Sequence, residues 1–265
     1  MSHDYLLVEI KSGVAKVTLN RPEVRNAFNA ELIADITRIF SDLSQQDDIR
    51  CIVLAANGPA FCAGADLNWM RSMADYTREQ NLADAAQLAA MMQTIYACPR
   101  PTIACIQGDV YAGGMGLVAA CDMAVSADTA NFCLSEVKLG LVPSTISPYV
   151  IRSMGARAAH RYFLTAEKFT ATDALRIGFV HEVVAADALN AKVAELSAAI
   201  CNAGPEAVKL CKKLLQDVSG QDITPALIGL TVASIANVRV SAEGREGLQS
   251  FLQKRKPNWL PPSTT

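Results

Sequence analysis

Histidine, charge and long apolar runs are all scarce in this chain. Three histidines occur in 265 residues, His3, His160 and His181. No Gly-x-Ser-x-Gly elbow is present either, so a serine-histidine hydrolase has little to be built from. Charged residues make up 19% and the formal net charge is -2. A protein of nucleic acid or of an acidic membrane surface needs a basic patch that this balance does not supply. The longest apolar stretches, such as Val110 to Ala120, fall short of the roughly 20 residues of a membrane-spanning helix. There are 8 cysteines but no Cys-x-x-Cys, which removes the usual zinc spacing, so no metal is expected. The start, Met1-Ser-His-Asp-Tyr-Leu-Leu-Val-Glu9, has no charged segment followed by a long apolar one. A reduced, cytoplasmic chain is expected, with Cys51, Cys98, Cys105, Cys121 and Cys133 acting as small hydrophobes inside apolar runs.

Hydrophobic residues reach 51%, and the length allows one large domain with a small appendage. Leu6–Ile10 and Val14–Leu19 read as a strand hairpin around Lys11-Ser-Gly13. Asn29 offers an N-cap to a helix over Ala30–Leu43, where Leu32, Ile33, Ile36, Ile39, Phe40 and Leu43 recur at helical spacing. Ile52–Ala56 and Thr102–Gln107 read as buried strands and Thr77–Tyr96 as a long helix. Met123–Ser126 and Asn131–Leu134 are shorter strand candidates. The alternation indicates an α/β layer with a largely parallel sheet. Beyond it the pattern is helical, with helices expected over Ala156–Thr165, Ala171–Arg176, Ala186–Cys201, Pro205–Asp217, Thr224–Val238 and Ala242–Lys254. One strand, Phe179–Val184, interrupts them. The expected division is a core over residues 1–190 and a helical C-terminal subdomain over 191–265, with Pro261–Thr265 fraying.

Two glycine-bearing turns stand out, Phe61-Cys-Ala-Gly-Ala-Asp-Leu67 and Tyr111-Ala-Gly-Gly-Met-Gly116. Each follows an apolar run. Two such turns can aim two backbone N–H groups at one substrate oxygen that gains negative charge. Gly114-Met-Gly116 also fits a dinucleotide fingerprint loosely, with Glu136 as the ribose carboxylate. Against that, Gly108–Gly113 separates the strand from the glycines, and Glu136 follows Ser135 into a loop. With so little histidine, proton transfer falls to Asp66, Asp109, Asp122 or Glu136. Asp66 and Asp122 border element starts and suit capping, and Asp109 suits a turn. Glu136, between Phe132-Cys-Leu134 and Val137-Lys-Leu139, is placed where desolvation raises a carboxyl pKa. A solvated carboxylate or a partner for Lys138 is the plainer alternative.

At these turns the sequence resembles the crotonase, or enoyl-CoA hydratase and isomerase, superfamily. The likeness runs through Asn20-Arg-Pro22, Arg25-Asn-Ala27, Phe61-Cys-Ala-Gly-Ala-Asp66, Tyr111-Ala-Gly-Gly114, Cys121-Asp122, Ser135-Glu136, Leu139-Gly140, Pro143 and Phe251-Leu-Gln-Lys-Arg-Lys256. It implies an α/β crotonase spiral of ββα units with a helical C-terminal part that supports homotrimers or dimers of trimers. It implies an acyl-CoA thioester substrate and no separate cofactor. The N–H groups of Ala65 and Gly113 would form the oxyanion hole, within a substrate-binding stretch of Ala63, Gly64, Ala65, Asp66, Leu67 and Trp69. Val24, Arg25 and Ala27 would line the CoA nucleotide, and Phe251 and Lys254 would reach CoA from the last helix. Glu136 matches the residue that exchanges a proton beside the thioester, while a second glutamate of the family pattern falls where this chain has Gly116.

A finer resemblance, in Gly64-Ala-Asp-Leu-Asn-Trp-Met70, Gly116 and the run from Phe132 into Ile146-Ser-Pro-Tyr-Val150, is to bacterial hydratases of 3-substituted glutaconyl-CoA. It implies 3-methylglutaconyl-CoA (leucine degradation) or isohexenylglutaconyl-CoA (acyclic terpene degradation) as substrate. Gly116 is then expected to leave room for a carboxylate carried by the substrate. Arg71, Lys138 and Arg152 are candidates to bind that carboxylate, and Trp69, Met70 and Met73 either line the acyl pocket or are plain core. A single-glutamate isomerase and a non-catalytic CoA-binding scaffold are the alternatives.

Overall fold

The computed structural model describes residues 5–260. His3 and the expected fraying segment Pro261–Thr265 lie outside the described residues. Strands β1 (Leu6–Lys11) and β2 (Val14–Leu19) pair antiparallel, Leu6 opposite Leu19 and Lys11 opposite Val14. Ser12 (φ 50°) and Gly13 (φ 78°) make the two-residue turn in the left-handed region that such hairpins need. Helix α1 (Ala30–Ser44) starts at Asn29, whose side chain accepts the Leu32 N–H at 2.9 Å. All six apolar residues expected on its inner face are buried.

Three turns of a spiral follow, each a strand, a second short strand and helix. The first is β3 (Cys51–Ala56), β4 (Ala60–Cys62), α2 (Leu67–Ala74) and α3 (Arg78–Tyr96). The second is β5 (Thr102–Ile106), β6 (Asp109–Tyr111) and α4 (Gly113–Ala120). The third is β7 (Met123–Ala127), β8 (Asn131–Cys133) and α5 (Ser147–Thr165). Then come β9 (Phe169–Thr170), α6 (Ala171–Arg176), β10 (Glu182–Val184), α7 (Leu189–Asn202), α8 (Pro205–Val218), α9 (Pro225–Val240) and α10 (Ala242–Leu252). The longer strands form a six-stranded sheet in the order β1-β2-β3-β5-β7-β10, parallel apart from β1. The short strands form a second sheet, β4-β6-β8-β9, in which only β9 is antiparallel.

One face of the large sheet packs on α1, α3 and α4 in a single core that includes Phe40, Leu54, Met92 and Leu117. The other face packs on α7, where Leu189 and Val193 meet Val53, Ile103, Cys105 and Val125. The division expected at residues 190 and 191 therefore cuts a helix that covers the sheet. The helices outside that layer begin at α8, which is tied back by Lys212 Nζ to Asp122 Oδ2 (2.7 Å) and by Gln216 Nε2 to the Tyr96 carbonyl (2.8 Å). Helix α9 has no buried residue, although Ile228, Leu230, Val232, Ile235 and Val240 lie on it.

Other expectations shift in detail. Helix α5 begins at Ser147, earlier than expected, and crosses a kink at Gly155 (φ 78°). The strand expected over Phe179–Val184 shrinks to Glu182–Val184, because the Phe179 and Val180 N–H groups both turn back to the Ala174 carbonyl. All eight cysteines are free. Burial pushes the thiols of Cys51, Cys62 and Cys121 up to about 12 and that of Cys105 to about 11, as befits small apolar fillers. Among the described residues no single helix is long and apolar enough to cross a membrane.

Candidate active site

Strands β4, β6 and β8 run side by side and parallel, with Cys62 opposite Val110 and Tyr111 opposite Cys133. Their carboxyl ends therefore release three neighbouring segments, residues 63–66, 112–113 and 134–139. Ligands of parallel α/β sheets bind at such ends. A cavity of about 1040 Å³ lined by Lys16, Val53, Cys105, Val193 and Trp259 lies elsewhere, on the face of the large sheet that packs on α7.

The two expected oxyanion donors arise in different ways. Gly64 turns with φ 90°, a value that suits glycine. Its carbonyl accepts the Phe28 N–H at 2.7 Å, and the Asp66 N–H returns to the Phe28 carbonyl at 2.7 Å, with Phe28 and Ala65 bridged in parallel. Successive amides of an extended chain point to opposite sides, so the Ala65 N–H faces away from Phe28. It meets no acceptor among the described residues. Gly113 opens α4, and the first N–H groups of a helix have no intrahelical partner and sit at its positive pole. The corner before it is held by Ala112 at φ 47° and ψ -122°, a conformation worth about 1–3 kcal/mol of strain. The Ala112 N–H bonds to the Cys133 carbonyl at 2.9 Å.

The two loops abut. A Cβ placed on Gly64 would lie 2.8 Å from the Ala112 Cβ and 3.6 Å from the Gly113 nitrogen. The Phe28 ring fills the space beside Gly113, 2.8 Å from where a Cβ would stand. The glycines of α4 are packed against protein, Gly114 against Cys62 and Gly116 against Ile146 and Met92. They leave no cradle for a dinucleotide.

Glu136 opens a single 3₁₀ turn, Glu136–Leu139, just past β8. Its Oε2 is buried and has no hydrogen-bond partner. Burial raises its pKa from the ordinary carboxyl value, only partly offset by a bond from its own backbone N–H. An unpartnered buried carboxyl oxygen is costly, and a substrate proton is the kind of partner that would satisfy it. Lys138, on the same turn, is exposed and forms no ion pair with Glu136.

Gly116 departs from expectation. The room its missing side chain was to leave is filled: a Cβ there would stand 2.3 Å from Ile146 Cγ2, 2.8 Å from Ile146 Cβ and 2.9 Å from Met92 Cε. A substrate carboxylate cannot occupy that volume. Gly116 is a buried packing position, with Ile146 supplying the bulk.

The first loop is anchored from below. Arg21 donates to the Ala27 carbonyl (2.7 Å) and pairs with Asp66 (3.1 Å), both side chains about nine-tenths buried. Asp66 caps α2 by accepting the Asn68 N–H. Burial alone would raise the Asp66 pKa, but bonds from the Asn68 and Trp69 N–H groups and the Arg21 guanidinium together lower it. The Ala63 N–H bonds to the Arg25 carbonyl at 3.0 Å, so Val24, Arg25 and Ala27 lie beside Ala63, Gly64 and Ala65. Arg25 is exposed and left-handed (φ 53°). Breaking a buried pair leaves one charge uncompensated, so Asp66→Ala is expected to cost about 3–5 kcal/mol, read as a lower urea midpoint. An unchanged midpoint would remove this anchor.

The remaining candidates separate. Leu67 is exposed, and Met70 and Met73 are half-buried on α2. Trp69 packs on the core and donates its indole N–H to Asp84 at 3.2 Å. Arg71 bonds to Asn68, and Arg152 to the Tyr96 hydroxyl (2.7 Å). Arg152 shares a cavity with Val118, Cys121 and Asp122, at the end of α4 away from Gly113. Asp109 serves its turn, accepting from Tyr111 and Asn131. Asp122 takes the Thr102 N–H, the Thr102 hydroxyl and Lys212. His160 bonds within α5 to Ala156, and His181 Nδ1 accepts the Ala124 N–H, so both are structural. Phe251 is 80% exposed on α10, which packs on α8 and α9. Lys254 follows that helix, and no hydrogen bond joins either residue to the Val24–Ala27 loop. Sequence reasoning did not assign roles to Arg21, Phe28, Met92 or Ile146. For Arg21 the quoted Asn20-Arg-Pro22 segment was a signal; the other three look like ordinary core.

Backbone N–H groups left free at neighbouring parallel strand ends, a desolvated carboxyl past the next strand and a spiral of ββα units are features of a crotonase-type enzyme. The chain belongs to the enoyl-CoA hydratase/isomerase family, which it matches over residues 9–261. An enoyl-CoA hydratase of Shewanella pealeana is 42% identical in its crystal structure, with a TM-score of 0.93 over 96% of each chain. A chain from Legionella pneumophila is 45% identical, with a TM-score of 0.93 over 98% of this chain and 100% of the other. An enoyl-CoA hydratase of Alternaria alternata is 36% identical over 209 residues, 77% of this chain and 67% of the relative.

Proposed function

We propose that the chain hydrates 3-substituted glutaconyl-CoA thioesters, with 3-methylglutaconyl-CoA and isohexenylglutaconyl-CoA as the substrates that its motifs suggest. The observation that carries the hydratase reading is the buried, unpartnered Oε2 of Glu136 on the strand end next to Gly113. The Ala65 and Gly113 N–H groups hold the thioester oxygen and stabilise the charge that builds there, each such donor being worth about two to three orders of magnitude in rate. Water adds its hydroxyl to C3. In its neutral form Glu136 gives the proton of one carboxyl oxygen to C2 while the other oxygen takes the remaining proton of the water, so the carboxyl ends as it began. This chemistry calls on no metal and no redox cofactor.

Val24, Arg25 and Ala27 hold the CoA nucleotide beside the donor loop, with Arg25 offering a cation to its phosphates. The exposed apolar side chains of α9 support a homotrimer, or a dimer of trimers, in which α8 to α10 form the contact subdomain and Phe251 and Lys254 reach the CoA of a neighbouring copy. A cytoplasmic location accords with the eight free cysteines. A panel of conjugated acyl-CoAs tests the reading through the loss of thioester absorbance. Turnover of glutaconyl types supports it. Binding without turnover means a scaffold, and double-bond migration alone means an isomerase.

A further inference from the structure

The Ala65 donor depends on a second strip of chain for its aim. Residues 25–28 run parallel to residues 63–66, with the Ala63 N–H on the Arg25 carbonyl (3.0 Å), the Phe28 N–H on the Gly64 carbonyl (2.7 Å) and the Asp66 N–H on the Phe28 carbonyl (2.7 Å). Register decides which amide serves the site, because a slip of one residue turns an extended segment to its opposite side. Such a slip would point the Ala65 N–H at Phe28 and the Asp66 N–H outward. Asn26 stands within the strip at 0% exposure. Its Nδ2 donates to the Asn57 and Ala60 carbonyls, both at 2.8 Å, and its Oδ1 accepts the Arg21 N–H at 2.8 Å. These partners allow the amide one orientation, since two carbonyls take its two N–H groups and one N–H takes its oxygen. Ala60 opens β4, and the donor loop leaves the other end of that strand at Cys62. Asn26 therefore ties the strip to the strand from which the loop springs, while the Arg21–Asp66 pair closes the far end. Arg25 and Asn26 are both left-handed, at φ 53° and 55°, a conformation that asparagine tolerates better than most residues. The side-chain bonds hold the bend that lays Ala27 and Phe28 along the loop.

We propose that Asn26 is a positioning residue for the reaction: through β4 and the parallel strip it fixes the register that aims the Ala65 N–H at the thioester oxygen. The inference rests on the hydratase reading, in which Ala65 is one of the two donors. Asn26 itself is walled off from substrate and acts only through the backbone it holds. A misplacement of about 1 Å commonly costs about a hundredfold in rate, so a donor that loses its register loses its share of catalysis.

The test uses the full chain with two variants. Asn26→Gly keeps the left-handed bend, and Asn26→Asp keeps the side-chain shape and the bond from Arg21 but gives up the Nδ2 donors. Rates are read below the melting temperature of each. The kcat on 3-methylglutaconyl-CoA is expected to fall by about a hundredfold. The N-acetylcysteamine thioester of the same acid has no nucleotide to meet Val24, Arg25 and Ala27, and its kcat/KM is expected to fall by a like factor. The second readout is the infrared stretch of an isotope-labelled thioester carbonyl bound to Glu136→Gln, which holds substrate without turnover. Donor bonds lower that frequency, and adding Asn26→Gly is expected to remove part of the lowering. A folded variant that melts lower but keeps the native kcat and the carbonyl stretch would overturn the proposal. So would a loss confined to the CoA thioester, which would make Asn26 a support of the nucleotide loop alone. Either variant suffices if the other does not fold. A native chain that binds the thioester without hydrating it refutes the hydratase reading, and the carbonyl stretch then still decides on Asn26. A native chain that lowers no carbonyl stretch refutes the donor pair and the role of Asn26 together.

Discussion

Glu136→Gln is expected to lower kcat on the proposed 3-substituted glutaconyl-CoA substrate by about two to four orders of magnitude, the usual share of a positioned acid-base group, while the protein melts no lower than the native chain. Glutamine keeps the shape of the side chain and cannot move a proton to C2. The stability side follows from burial. The folded pKa of Glu136 is raised, so its favourable contribution is fully present below the ordinary carboxylate pKa and is lost as pH rises through the folded value. Above the folded pKa the native chain carries a desolvated charge with Oε2 unpartnered, and the amide removes that charge. The melting difference between variant and native protein therefore grows as pH rises through the folded pKa and closes on acidification. A variant that melts lower than the native protein across that range would mean that Glu136 is held by partners and is not poised for substrate.

Replacing the Ala65 amide by an ester, through incorporation of lactic acid, is expected to lower kcat by about two to three orders of magnitude with little change in KM. The N–H is lost and the Gly64 carbonyl becomes a weaker, ester acceptor for the Phe28 N–H, while the Asp66 N–H keeps its bond to the Phe28 carbonyl and holds the loop in place. A donor aimed at the oxygen of the transition state acts on kcat, whereas one that binds substrate and transition state alike acts on KM. A loss confined to KM would make Ala65 a binding contact and leave Gly113 as the sole oxyanion donor. Side-chain scanning cannot see this residue, because its chemistry is all backbone.

The long elements were legible because their signals are local. Helix α1 shows its cap and its apolar spacing in one stretch of chain, and β3 and β5 are unbroken apolar strands. The second sheet was not. Strands β4, β6 and β8 have three residues each, too short for an alternation to register, yet their ends build the site. Glu136 was singled out from its apolar flanks, and burial does raise its pKa. Gly116 was found but misjudged. A glycine announces a missing side chain and says nothing about which neighbour takes the space, and here the neighbour is Ile146, thirty residues on. Arg152 was a candidate by charge, yet the fold turns it to Tyr96, at the other end of α4 from the donors. The site also holds an adverse conformation at Ala112 and an unsatisfied carboxyl at Glu136 within one region. Both are the kind of local cost that a packed core sustains where chemistry needs it.

The most direct test of the central claim is to incubate the full chain with 3-methylglutaconyl-CoA in deuterated water and follow the product by mass and by proton NMR. The expected product is heavier by one water, with a single deuterium fixed at C2 on one face, and almost none forms with Glu136→Gln. A product of unchanged composition with a migrated double bond, or equal labelling with and without the Glu136 carboxyl, would contradict it.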